Sequence, residues 1–281
     1  MTSIVLKHGS AQLALRPDIG GSVEGLWLGG VEVMRSVPVG SLQSVKQSAS
    51  YPFVPYSNRI ANAQLRWQGQ DYPLKPNFAP ELHAIHGVGW LQPWAVHKVE
   101  ADFAHLTLVH TANADWPFAF DAWQTFKLTG NTLEMAMGMT NRSDHMAPAG
   151  LGWHPYFVKR AQSQLSFEAA GRWEMDAAKL PTTWSATGGL DVSGTTLDID
   201  HCFDGWAGSV HLRDECMDVR ITSELKRLVV YTTLARDSIA IEPVSHVNNA
   251  MNQSNASALG VQPLQPGAST SAAMAVHMQA V

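Results

Sequence analysis

Apolar and polar residues alternate in short runs along most of this chain, at residues 105–110, 210–212, 219–222 and 228–232. Successive side chains of a strand point to opposite faces, so each run predicts a strand with one side on a core and the other toward solvent. Runs 123–128 and 133–137 flank Gly130-Asn131, two residues that tolerate the positive φ of a tight turn, and together they predict a β-hairpin. Helical periodicity is hard to find. Residues 16–21 and 26–30 read as turn elements, residues 248–258 as a polar loop, and residues 263–267 as a turn before one last strand. Many short strands separated by Gly, Pro and Asn predict an all-β chain, a large antiparallel β-sandwich or barrel rather than a parallel α/β fold. The expected organisation is a single domain over residues 1–281, since sandwiches of this size are commonly undivided.

Composition narrows the picture. Hydrophobic residues are 45% and charged residues 15%, which supports a sizeable core and excludes the low-hydrophobicity class of disordered chains. A net charge of -5, with no basic run longer than Lys159-Arg160, argues against a nucleic-acid partner. Nowhere do about 18 apolar residues run together, so no membrane span is predicted, and with no basic segment followed by an apolar stretch at residues 1–8 the expected setting is cytoplasmic. Cys202 and Cys216 form no C-x-x-C pattern and are expected as free thiols; Cys202, just after Asp200-His201, is a minor functional candidate.

Four polar motifs punctuate the strands: residues 55–60 (Pro-Tyr-Ser-Asn-Arg-Ile), Ile85-His86-Gly87, residues 150–157 around His154, and Ile241-Glu242-Pro243. They supply an arginine, two histidines and a carboxylate, a set suited to holding an uncharged polar ligand while protons move on and off it. Glu242 lies in an apolar run, where an inward carboxylate is costly without partners; the alternative is the solvent face of an edge strand, which Pro243 would suit. His154 precedes a proline and has Trp153, Tyr156 and Phe157 around it, an aromatic setting common in sugar pockets and also compatible with a core histidine. His83 and His86 would face opposite sides of a strand, so one of them is expected to meet a ligand. Arg59, with its fork of donors, suits two hydroxyls or an ion pair. Asp198 and Asp200 share a strand face, and period alone does not choose between them. Trp90, Trp94, Trp153 and Trp206 are stacking candidates, although with ten tryptophans several must belong to the core.

The order and spacing of these motifs resemble the aldose 1-epimerase family, the galactose mutarotases. The resemblance runs through residues 55–60, His86-Gly87, residues 154–157, Asp200-His201-x-Phe203, Tyr231-Thr232, Glu242-Pro243 and Leu264-x-Pro266-Gly267. It implies a galactose mutarotase-like supersandwich without metal or organic cofactor, interconverting the α and β anomers of a free aldose. It also implies Glu242 as general base, His154 as general acid, and Arg59, His86, Asp200 and Asn58 as groups that bind and orient hydroxyls. Two departures are visible: the family's Glu-Pro-x-Thr is Glu242-Pro243-Val244-Ser245 here, and His83 is an additional histidine. Alternative readings are an epimerase of a hexose 6-phosphate, a cupin-like metalloenzyme using His83, His86, His154 and Glu242, and a non-catalytic carbohydrate sensor on the same fold. The expected partner is a small sugar, for a monomer or a homodimer.

Overall fold

A computed structural model describes residues 3–281. Two large antiparallel sheets carry the fold. The first has nine strands in the order Ala95–Val99, Phe103–His110, Phe120–Thr129, Thr132–Asn141, Ser269–Ala280, Met217–Ser223, Ser209–Arg213, Gln164–Phe167 and Leu190–Ser193. The second runs Pro181–Ala186, Gly171–Met175, Ile199–Asp204, Arg227–Thr232, Ser238–Val244, Gly152–Trp153 and Pro52–Phe53, and Tyr156–Val158 also pairs with Ser238–Val244. A four-stranded sheet of Ile4–His8, Ala11–Arg16, Ser22–Leu28 and Val31–Glu32 and three two-stranded ribbons complete it. Helix is confined, among the described residues, to five single 3-10 turns, so none is long and apolar enough to cross a membrane.

The predicted strands at 105–110, 210–212, 219–222 and 228–232 all lie within strands of these sheets. The hairpin closes on Gly130-Asn131, with Thr129 facing Thr132 and Gly130 at φ +58°, a conformation that a glycine adopts at no steric cost.

Alternation is cleanest in the nine-stranded sheet. Phe120–Thr129 buries every second residue, and the same period holds along Ser269–Ala280. Inward side chains of this sheet, among them Phe126, Leu133, Met137 and Val276, join Phe203, Val230 and Ile241 of the eight-stranded sheet in one hydrophobic cluster, which makes the fold a sandwich. Each such side chain contributes about 1.5–3 kcal/mol on burial. The eight-stranded sheet does not alternate. All seven residues of Ser238–Val244 are buried, because that strand is internal and covered on both faces. The edge-strand alternative for Glu242 is therefore overturned.

Candidate active site

Glu242 projects from this covered strand and is 2% exposed. Beside it the chain runs Gly152–Trp153, His154, Pro155, Tyr156–Val158, so that two short strands flank a break at His154-Pro155. Proline has no amide hydrogen to extend the ladder, yet its carbonyl accepts from the Ile241 amide at 3.2 Å, and the His154 amide donates to Tyr51 at 3.0 Å. The break thereby turns the imidazole toward Glu242: His154 Nε2 lies 3.1 Å from Glu242 Oε1 and 3.2 Å from the Tyr156 hydroxyl. The Tyr156 ring stacks on His154 with centroids 4.3 Å apart, which fixes its plane.

A second wall comes from residues 57–62 and 83–87, joined by the pairing of Arg59 with Ile85 and Ile60 with Ala84. Three imidazoles hold this segment through its backbone. Ser57 N donates to His246 Nε2 at 3.1 Å, Asn58 N to His86 Nδ1 at 3.1 Å, and Asn62 N to His83 Nδ1 at 2.9 Å. The His86 amide returns a bond to the Asn58 carbonyl at 2.8 Å. Because Nδ1 of His86 accepts, its proton is on Nε2, which makes that nitrogen a donor. Gly87 is required at the corner: at φ +72° a Cβ there would lie 2.2 Å from the Val54 carbonyl oxygen. Arg59 donates to Asn58 Oδ1 at 3.2 Å and to Glu81 Oε1 at 3.0 Å, and its buried Nε has no partner among the described residues.

The third wall is Asp200, opposite Tyr231 across the Ile199–Asp204 and Arg227–Thr232 pair, with Lys179 and Arg236 brought in from loops. Lys179 Nζ is 3.7 Å from Asp200 Oδ2, and the Arg236 guanidinium lies over the Tyr231 ring at 4.7 Å. Together the walls enclose a cavity of about 460 Å³. A larger hollow of about 850 Å³ lies on the nine-stranded sheet, but its charges, such as Lys98 beside Glu100, are exposed and none is a buried acid or base. Chemistry points to the smaller cavity.

Burial sets the electrostatics. It pushes the Glu242 carboxyl well above its usual range, with Asp200 adding to the rise and Arg59 opposing it. Burial likewise holds His154 well below its ordinary value, helped by His86, Arg35 and Arg236, and it lowers His86, with Arg59 adding to the effect. The two shifts run in opposite directions, and the 3.1 Å contact puts the Glu242 carboxyl and the His154 imidazole within reach of one shared proton. Among the described residues no group of three or more His, Cys, Asp or Glu side chains converges as a metal ligand set.

The sequence model of a family described as aldose 1-epimerase matches residues 2–277. The chain belongs to the aldose 1-epimerase family. It is 27% identical to the uncharacterized protein YphB of Escherichia coli K12 over 99% of each chain. Its fold is that of a galactose mutarotase-like protein from Clostridium acetobutylicum, at TM-score 0.86 and 20% identity over 99% of this chain and 95% of that one. A GalM/aldose epimerase homologue from C. elegans superposes at TM-score 0.83, with 18% identity over 99% of both chains.

The structure of this aldose 1-epimerase family member brings Glu242, His154, Arg59, His86, Asn58 and Asp200 to the one cavity. Of the two early histidines it is His86 that lines it. Asp198 is exposed, which decides between the two aspartates. The stacking candidates Trp90, Trp94, Trp153 and Trp206 are all buried in the core instead, and the rings lining the cavity are Tyr51, Phe78, Tyr156 and Tyr231. An indole is large enough to fill a sandwich interior, whereas a tyrosine presents a ring and a hydroxyl together. Cys202 is buried away from the cavity lining, and burial pushes its thiol up to about 12. Sequence reasoning missed Tyr51, Glu81, Lys179, Arg236 and the bracing His246. Lys179 and Arg236 sit in loops without any period; His246, four residues after Glu242, was within reach of a search for histidines near the motifs.

Proposed function

We propose that this protein interconverts the α and β anomers of a free aldose by acid-base ring opening and closure. The observation that carries the reading is the buried contact of Glu242 Oε1 with His154 Nε2 at 3.1 Å inside a cavity that Asn58, Arg59, His86 and Asp200 also line. Mutarotation needs a base for the C1 hydroxyl proton and an acid for the ring oxygen, acting together. Glu242 takes the hydroxyl proton and His154 delivers one to the ring oxygen, which breaks the bond from C1 to that oxygen and leaves an open-chain aldehyde. Rotation about C1–C2 presents the other carbonyl face. Closure runs the two transfers backward, so both groups return to their starting states and no proton is gained or lost.

The remaining residues bind and orient. Arg59, Asn58 and His86 offer donors to hydroxyls, Asp200 accepts from one, and the tyrosine rings cover apolar faces of the pyranose. Glu242 Oε2 is buried without a partner among the described residues, and the C1 hydroxyl would supply one.

Polarimetry or anomer-resolved proton NMR of freshly dissolved α-galactose, α-glucose and α-arabinose tests the reading. The expected result is a faster approach to anomeric equilibrium with protein than without. No acceleration with any aldose, from folded protein, would overturn it.

A further inference from the structure

The charged groups around the cavity are not evenly matched. Arg59 is paired with Glu81 at 3.0 Å, Lys179 stands 3.7 Å from Asp200, and Glu242 contacts His154. Arg236 has no such match. Among the described residues no carboxylate pairs with its guanidinium and no side-chain hydrogen bond occupies it; Asp237, next in sequence, is exposed and does not pair with it. Its one contact of note is the Tyr231 ring beneath it, an arrangement that covers the guanidinium face and leaves its edge donors free. A half-buried, always-charged fork aimed at a ligand cavity is suited to an anion.

Position decides which part of a sugar it meets. Arg236 lies on the short loop that joins Arg227–Thr232 to Ser238–Val244, the strand that carries Glu242. The Tyr231 ring it covers and Tyr156, whose hydroxyl meets His154 Nε2, both lie opposite Ala240 across their strands, which puts the guanidinium at the end of the cavity where Tyr156 and the imidazole sit. With His154 serving the ring oxygen, as proposed above, the neighbouring ring atom is C5, and the substituent on C5 is the C6 group. One unmatched guanidinium balances one negative charge. A phosphate dianion would call for more, and the other two cations of the cavity are engaged.

We propose that Arg236 is an acid-recognition residue, and that the aldoses this protein handles best carry a carboxylate at C6, the uronates. The inference rests on the mutarotase reading for its chemistry, while the recognition itself is testable without turnover. Two sugar pairs differ only at C6: galacturonate and galactose, glucuronate and glucose. Binding is measured by calorimetry on the Glu242→Gln protein, and anomeric exchange by NMR on the wild type.

The acid member of each pair is expected to bind about 10-fold more tightly or better, the scale of one charge-assisted contact. Exchange is expected to favour it in the same direction. In Arg236→Met the acid-to-neutral ratio should collapse toward one, and Arg236→Lys should restore part of it. A wild-type ratio at or below one, or a ratio that survives Arg236→Met in correctly folded protein, overturns the proposal. Tighter binding of galactose 6-phosphate than of galacturonate overturns the carboxylate assignment. If no sugar exchanges faster yet the binding ratio behaves as expected, it is the mutarotase reading that fails and the recognition by Arg236 that stands.

Discussion

Two buried glutamates occupy opposite kinds of surroundings. Glu24, on Ser22–Leu28 of the four-stranded sheet, is fully buried and accepts from Ser3 Oγ, from the Gly40 amide at 2.9 Å and from the Leu42 amide at 3.0 Å. Arg16 closes the same collar by donating to the Leu42 carbonyl at 2.8 Å. Glu242, equally buried, has His154 on one oxygen and no partner on the other. A buried carboxylate surrounded by donors is a structural fixture, because its charge is solvated by the protein. One left short of donors is held in a state that a ligand can relieve, and the cavity around Glu242 is where such a ligand would enter.

The largest effect should separate the two on activity. Glu242→Gln keeps the shape of the side chain and removes the base, so anomeric exchange should fall about 100- to 10,000-fold, the usual span for losing one acid or base. His154→Asn should fall in the same range. Glu24→Gln should leave the exchange rate within a few-fold of wild type. Equal losses at 24 and 242, read by NMR exchange on protein of native circular dichroism, would remove the distinction between the two sites.

Acid should loosen the cavity wall at His246. His246 accepts the Ser57 amide proton only while its Nε2 is bare, and burial pushes its pKa from 6.5 down to about 4. With a depressed folded value, the contribution is whole above pH 6.5 and is lost as pH falls toward 4, because the unfolded chain binds the proton first. The expected loss over that window is about 3 kcal/mol. Urea unfolding at stepped pH should show it, and His246→Gln, whose side-chain oxygen can still accept from Ser57, should flatten the slope. An unchanged slope would mean that the imidazole is not the acceptor that braces residues 57–59.

The same contrast explains what was legible in the sequence. Where a sheet has one wet face, as in Phe120–Thr129, alternation spelled out both the strand and its inward side. Ser238–Val244 is covered on both sides, alternation vanishes, and the orientation of Glu242 could not be read from period. Its identity as a candidate came from an acid set in an apolar run and from the order of motifs along the chain. The residues that motif order could not reach, Lys179 and Arg236, come from loops whose paths are fixed only by the sheets they join. The tryptophans misled for a related reason: residue type suggests stacking, but burial depends on position in the sandwich.

Within the collar the expected effect is on stability alone. Glu24→Gln keeps an oxygen for the Gly40 and Leu42 amides and gives up the charge that strengthens those bonds, so the cost should be about 1–2 kcal/mol by urea unfolding at neutral pH. A neutral result would show that the collar is held by packing and not by the carboxylate.

The effect of opposite sign belongs to Glu242 itself. Its folded-state pKa is raised, chiefly by burial, so the folded protein holds this proton more tightly than the unfolded chain does. Stability is then undiminished below the ordinary value of 4.5 and declines as pH climbs from there toward the raised value, since ionising the group in the unfolded chain pulls the equilibrium that way. Glu242→Gln removes that drain while keeping the volume, so thermal unfolding of the inactive variant should occur at a higher temperature than wild type at pH 8, with the gap closing as pH is lowered toward 4.5. A variant less stable than wild type at pH 8 would mean that the His154 contact solvates the carboxylate fully, making Glu242 a second Glu24 and leaving the cavity without a strained base.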